Sequence, residues 1–228
     1  MSLKNILLLV YFSSVIICVF ALCFDNEIIM TIFKPIIFPS ILFYYYEKVK
    51  KINIYATIIL LCLYLTDIIT LLNLENESLI LTIPFFVIYT ILIFFSIGSI
   101  KKIKMNLIDI LTTLIIFFLL IYTLYSLITL LEKNQNYLIV PDLITGTLLI
   151  VLCTLVSYNY IVNNTIFNFY FILSCLCFVT SNVFYLLYKE IFYISIFNWI
   201  SLLFQFLTYY CLVKYFIFKS LTYKKELQ

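Results

Sequence analysis

Asp67 is a carboxylate in the middle of an apolar run, Leu65-Thr66-Asp67-Ile68-Ile69, away from any polar break. Three other polar side chains intrude on apolar runs: Lys34, followed directly by Pro35, and the amides Asn182 and Asn198. A charge at the centre of a membrane helix costs roughly 2.5–3.5 kcal/mol on insertion scales, so such a residue is a functional candidate by default. A carboxylate in apolar surroundings can hold and release a proton, which is acid–base chemistry. A lysine beside it can keep it ionised, or can meet a phosphate. An amide can orient water or bind an ether oxygen, but it does not shuttle protons at neutral pH. Plainer roles stand beside these. Lys34 could snorkel to an interface, or form a purely structural pair with Asp67. Asn182 and Asn198 could bond neighbouring helices together.

Other chemistry is excluded by what is missing. The chain has no His, which rules out His–Asp catalysis, His metal ligation and a His proton relay. Its seven cysteines all lie inside apolar runs, without C-x-x-C or metal-ligand spacing, and read as small buried hydrophobes. No metal or cofactor is implied. The net charge of +3 is small and its lysines are spread over several breaks, so a nucleic-acid partner is not indicated. The apolar run before Cys23 lacks a small-residue cleavage site, and reads as a retained helix and not a removed signal peptide.

The elements that must carry these residues follow from composition. Hydrophobic residues make up 65% of the 228-residue chain and charged residues 11%; mean hydropathy is +1.17. No soluble fold of this length hides so much apolar surface, so the solvent is largely hydrocarbon. A bilayer core needs about 20 apolar residues per helix. The apolar runs predict spans at 5–23, 29–46, 53–73, 79–100, 107–131, 142–162, 168–188 and 193–218. They are apolar all round and lack strand-like alternation, so helices and not a closed barrel are expected. The expectation is an all-α, multi-pass bundle of about eight transmembrane helices in one domain, residues 1–228. The break at Asn163 and Asn164 carries no charge and is the least marked of the seven.

The breaks alternate in charge. Eleven lysines (Lys4, Lys48, Lys50, Lys51, Lys101, Lys102, Lys104, Lys214, Lys219, Lys224 and Lys225) fall on one side, and only Lys34, Lys133 and Lys189 on the other. The lysine-poor side carries Asp25, Glu27, Glu75, Glu77, Glu132, Asp142 and Glu190. With short loops the lysine-rich side is cytoplasmic, which puts both termini there. Counted from the outer ends of their helices, Lys34, Asp67, Asn182 and Asn198 then lie about 7–9 Å deep at 1.5 Å per residue. That common depth predicts one polar cavity in the outer half. Asp109, three residues after the cap candidate Asn106, and Asp142, after Pro141, are expected only to start helices.

At these residues the chain resembles the YhhN-like family of eight-span membrane proteins, which includes the lysoplasmalogenases of the transmembrane protein 86 group. The likeness covers nearly the whole chain through four short signatures in order. These are Lys34-Pro35 in the second helix, Thr66-Asp67 in the third, Phe178, Ser181 and Asn182 in the seventh, and Thr208-Tyr209-Tyr210 in the eighth. The resemblance implies hydrolysis of the vinyl-ether bond of a lysoplasmalogen to a fatty aldehyde and a glycerophospho-base. Asp67 and Asn182 would stand at the catalytic positions. Lys34, Thr66, Ser181, Asn198 and Tyr209 would contact substrate, a single-chain ether lipid or lysophospholipid. The expected location is a bacterial inner (cell) membrane, as an integral multi-pass protein. The chain departs from the family pattern in having Asn182 for an aspartate, Thr66 for a glycine and Val213 for a glutamine. A non-catalytic lipid-binding or structural relative, and a small transporter, are the alternative readings. Only two glycines, Gly98 and Gly146, are present, so the broken helices usual in transporters are not signalled.

Overall fold

The computed structural model describes residues 3–24, 26–50, 53–72, 77–100, 106–132 and 139–226, with side chains to Thr222. Among them are eight α-helices: α1 (Leu3–Cys23), α2 (Glu27–Val49), α3 (Ile54–Leu72), α4 (Glu77–Ile97), α5 (Leu107–Leu131), α6 (Ile139–Val162), α7 (Ile166–Leu186) and α8 (Ser195–Glu226). A six-residue π-helix, Leu187–Phe192, extends α7. Each of the eight segments is long and apolar enough to cross a bilayer, and the chain is accordingly an integral, multi-pass membrane protein. The expected spans recur within a few residues, apart from a longer α8. Asp25, Lys51, Glu75, Lys101, Lys102, Lys104 and Lys133, used above to orient the chain, lie outside the described residues, as do the side chains of Lys224 and Lys225.

Local chemistry sets the helix ends. Asn26 accepts from the Ile29 N–H at 3.1 Å and Glu27 follows in the first turn of α2, where a negative charge suits the helix dipole. Lys50 closes α2 in the left-handed conformation, φ 54°, its N–H bonded to Tyr46 O. The uncharged break near Asn163 is real: α6 ends at Val162 and Thr165 accepts from Asn168 N to open α7. Asp109 accepts from the Asn106 N–H at 3.4 Å at the start of α5.

Six helices close into a ring in the order α2, α3, α4, α6, α7, α8, with α1 packed outside on α2 and α8, and α5 outside on α6. The ring's interior is dense and aromatic-rich. Ile37, Ile59, Leu60, Ile88, Tyr89, Leu152, Phe206, Tyr209 and Leu212 are fully buried. Lipid is as apolar as these side chains, so packing and interhelical hydrogen bonds must hold the ring together. Buried Tyr11 of α1 donates to Phe206 O of α8. At the end of the ring with the α6–α7 connection, Asn159 Nδ2 donates to Ser96 O at 2.8 Å, and Asn168 Nδ2 to Asn163 O at 2.8 Å.

Helix α5 is the least enclosed, burying only Leu127 and Leu131. It meets α6 closely at Gly146, where an added Cβ would lie 2.6 Å from Leu124 Cδ1. Gly146→Val is therefore expected to lower stability in detergent by about 1–3 kcal/mol through overpacking. Adding Leu124→Ala should recover most of that loss in a thermal melt. A double variant no more stable than Gly146→Val would show that α5 does not rest on this contact.

A buried carboxylate cluster beside a candidate lipid cavity

Asp67 lies at the start of the last third of α3 with 2% of its side chain exposed. Such a group persists only if its oxygens are satisfied. Oδ1 accepts from Gln205 Nε2 of α8 at 2.9 Å and faces Lys34 Nζ of α2 at 3.4 Å. Oδ2 accepts from the Tyr209 hydroxyl at 2.5 Å. Lys34 is itself buried and donates to Thr70 Oγ1 at 2.8 Å. The Thr70 hydroxyl passes its own proton to Asp67 O at 2.9 Å. Three helices thus converge on one carboxylate. Gln205 and Tyr209 reach it together because positions four apart share a helix face.

A cavity of about 130 Å³ opens next to this cluster, in the half of the bundle that holds the α3–α4, α5–α6 and α7–α8 connections. Its apolar wall comes from α5, with Leu120, Leu124, Leu127 and Leu131, and from Leu81 and Phe85 of α4. A polar patch faces that wall, formed by Thr66, Thr70, Ser181, Asn182, Ser201 and Gln205. Ser181 and Ser201 exchange bonds to each other's carbonyls at 3.0 Å, clasping α7 to α8. The mouth is charged, with Asp142, Lys189 and Glu190.

Of the four residues expected to wall one cavity, Lys34, Asp67, Asn182 and Asn198, only Asn182 lines it, and the other residues expected to contact substrate are likewise divided. Thr66, Ser181 and Asn182 line the cavity. Lys34, Asp67 and Tyr209 do not; they stand behind Thr66, Thr70 and Gln205. Asn182 belongs to a separate contact and donates to the Tyr89 hydroxyl of α4 at 2.9 Å. Asn198 is half-buried and does not line the cavity. A shared depth fixes height along a helix axis and leaves free the direction in which each side chain points, which is why the single-cavity expectation needs this correction.

Two features escaped the sequence reading. Gln205 sits between Phe204 and Phe206 in an apolar run, and its only signal is the four-residue spacing to Tyr209. Glu77 looked like a loop charge, but it is 4% exposed at the start of α4. It accepts from Tyr185 OH at 2.7 Å and pairs with Lys189 of the π-helix. Among the described residues, no group of three His, Cys, Asp or Glu side chains could hold a metal ion.

No family model, curated protein or solved structure matches the chain.

The cluster makes a stability prediction. Removing one partner of a buried ion pair costs about 3–5 kcal/mol, because the other charge is left unpaired. Lys34→Met should therefore destabilise the protein strongly, and Lys34→Met with Asp67→Asn should be more stable than Lys34→Met alone. Unfolding free energies for the double-mutant cycle test this; strict additivity would show that the two charges do not depend on each other.

Proposed function

We propose that this chain is a membrane-embedded, YhhN-like protein that draws a single-chain ether lipid into the cavity and hydrolyses its vinyl-ether bond. The observation that carries the reading is the cavity itself: apolar along α5, polar along Thr66, Thr70 and Gln205, with Asp67 immediately behind that patch. A lipid chain would lie along the leucines, and the polar patch would meet the linkage region.

The chemistry requires a proton on the vinyl carbon remote from oxygen. Asp67, in its protonated state, would be the source of that proton, and the Thr70 and Gln205 side chains that stand between its carboxyl group and the cavity would turn aside to let the linkage reach it. Water then adds to the oxygen-bearing carbon of the oxocarbenium ion and returns a proton to Asp67. The resulting hemiacetal breaks its C–O bond to the glycerol, giving a fatty aldehyde and a free glycerol hydroxyl. One water is consumed and the carboxyl group is regenerated. Asn182 would hold the water, and Lys34 would stabilise the ionised form of Asp67 between the two proton transfers.

A second reading, lipid binding without hydrolysis, is favoured by one observation. Both oxygens of Asp67 are already engaged by Lys34, Gln205 and Tyr209, and Asn182 cannot replace a second acid. We further infer a cell membrane, the inner membrane of a bacterium, with both termini cytoplasmic. The excess of lysine at the α2–α3 and α4–α5 connections and at the chain ends supports this orientation.

Purified protein in nanodiscs should release fatty aldehyde from a lysoplasmalogen. Asp67→Asn should cut the rate by about 10²-fold or more, the usual contribution of a general acid–base group, and Asn182→Asp should raise it. No aldehyde from either the native protein or Asn182→Asp, with lipid still retained, would leave the binding reading in place of the hydrolase. For the orientation, a fluorescent protein fused to the C-terminus should fold and fluoresce in cells, whereas alkaline phosphatase fused there should be inactive. The opposite pattern would reverse the topology.

A further inference from the structure

The cavity's polar patch has a sign. A hydroxyl group carries one proton, and a backbone carbonyl can only accept one. Thr66 donates to Leu63 O at 2.7 Å, Thr70 to Asp67 O at 2.9 Å and Thr208 to Phe204 O at 2.9 Å. Ser181 and Ser201 donate to each other's carbonyls. Each of these five cavity-lining hydroxyls has therefore committed its only proton to the helix backbone, and what remains is oxygen lone pairs, one of Thr70's being already taken by Lys34 Nζ. At the wall's edge, Thr82, Thr123 and Thr145 likewise donate to the carbonyls of Ser78, Leu119 and Pro141.

The two amides of the patch lean the same way. Gln205 directs its Nε2 at Asp67 and Asn182 its Nδ2 at Tyr89. The carbonyl oxygen of each stands at the opposite end of its amide, and a single N–H per amide is uncommitted. Among the described residues the one cation on the lining is Lys189, and it is paired with Glu77 at the mouth. An incoming anion would find few donors here, the Ser78 hydroxyl and one N–H of each amide, and a surplus of lone pairs. An incoming hydroxyl group would find acceptors in Thr66, Thr70 and the Gln205 carbonyl.

We propose that the patch of Thr66, Thr70, Ser201 and Gln205 selects single-chain amphiphiles that present to it an uncharged group able to donate a hydrogen bond, namely a free hydroxyl. It disfavours fatty-acid anions and chains whose polar end can only accept. This rests on the reading of the cavity as a lipid site and adds to it the polarity of the group recognised. Gln205 is its specificity-determining residue. Asp67 holds the amide N–H, so Asp67 decides which end of the amide faces a ligand.

Three sixteen-carbon probes isolate the donor: 1-hexadecanol, its methyl ether, and hexadecanoate at pH 9. Retention of each by the purified full chain in detergent is read by native mass spectrometry and by competition against a fluorescent alkyl probe. Hexadecanol is expected to bind about tenfold more tightly than the ether, as one buried hydrogen bond allows, and more tightly than the carboxylate. Thr66→Val, which keeps the shape and removes the acceptor, should weaken hexadecanol several-fold and leave the ether unchanged. Gln205→Met should do the same if it folds, and a melting curve reports whether it does. Equal binding of alcohol and ether, or a preference for the carboxylate, overturns the donor selection and leaves the lipid reading standing. If none of the three binds, both the lipid reading and this inference fall.

Discussion

The Lys34–Asp67 pair cannot be half made. In hydrocarbon an unpaired ion has no water to turn to, so the two charges oblige α2 and α3 to face each other at this height. The second carboxylate oxygen then needs a donor, and Tyr209 brings α8 to the same point. Much of the ring follows from that convergence. Helix α8 buries Phe206, Leu212, Val213 and Tyr215 around Tyr209, and α1 is tied to it where Tyr11 reaches Phe206 O. The contact resembles a keystone more than an isolated bridge, because three helices take their rotation from it.

The same rule governs the neutral polar groups. Within the bilayer a hydroxyl proton with no partner is costly, and the nearest acceptor is the carbonyl three or four residues back. Serines and threonines therefore satisfy themselves locally along α3, α5, α6, α7 and α8. A wall built from such residues is polar, yet it has no protons to give. Polarity in a membrane cavity is consequently directional, and residue names alone do not reveal the direction. The bonds made behind the wall do.

This separates what was legible in the sequence from what was not. Helix number and span depend on the total apolar content between breaks, which any reader of the chain can sum; even the uncharged break at Asn163 and Asn164 is a real one. Asp67 and Lys34 stood out because charge in an apolar run is rare. Their partnership was open, since a lysine near a helix end can equally snorkel. Gln205 was overlooked because an amide costs less than a charge and draws less notice, although it touches both the carboxylate and the cavity. Asn198 attracted attention as an amide in an apolar run at the common depth, and depth says nothing of the angle around the helix. Glu77 was misjudged for a related reason. A charge at a helix start is normally solvated, and only the fold shows that Lys189 and Tyr185 close over it.

Glu77 also explains why the cavity mouth is built as it is. The residue opens α4, where the unpaired N–H groups of the first turn favour a negative charge. It is nevertheless almost fully buried, so the dipole alone does not compensate for its lost water. Lys189 completes the compensation, and it comes from the π-helix that follows α7. Regular α-helical continuation of α7 gives way at Leu187, and the segment ends at Tyr193 with φ 51°. Local π-helical stretches recur at sites where a chain must redirect side chains. Here the redirected pair is Lys189 and Glu190, and both line the mouth. The cavity thus has a charged rim and a neutral, proton-accepting patch that faces the leucines of α5. In the proposed reading, that order matches an amphiphile entering from the outer leaflet: its charged head would stay at the rim, its linkage would reach the patch beside Asp67, and its chain would lie along α5.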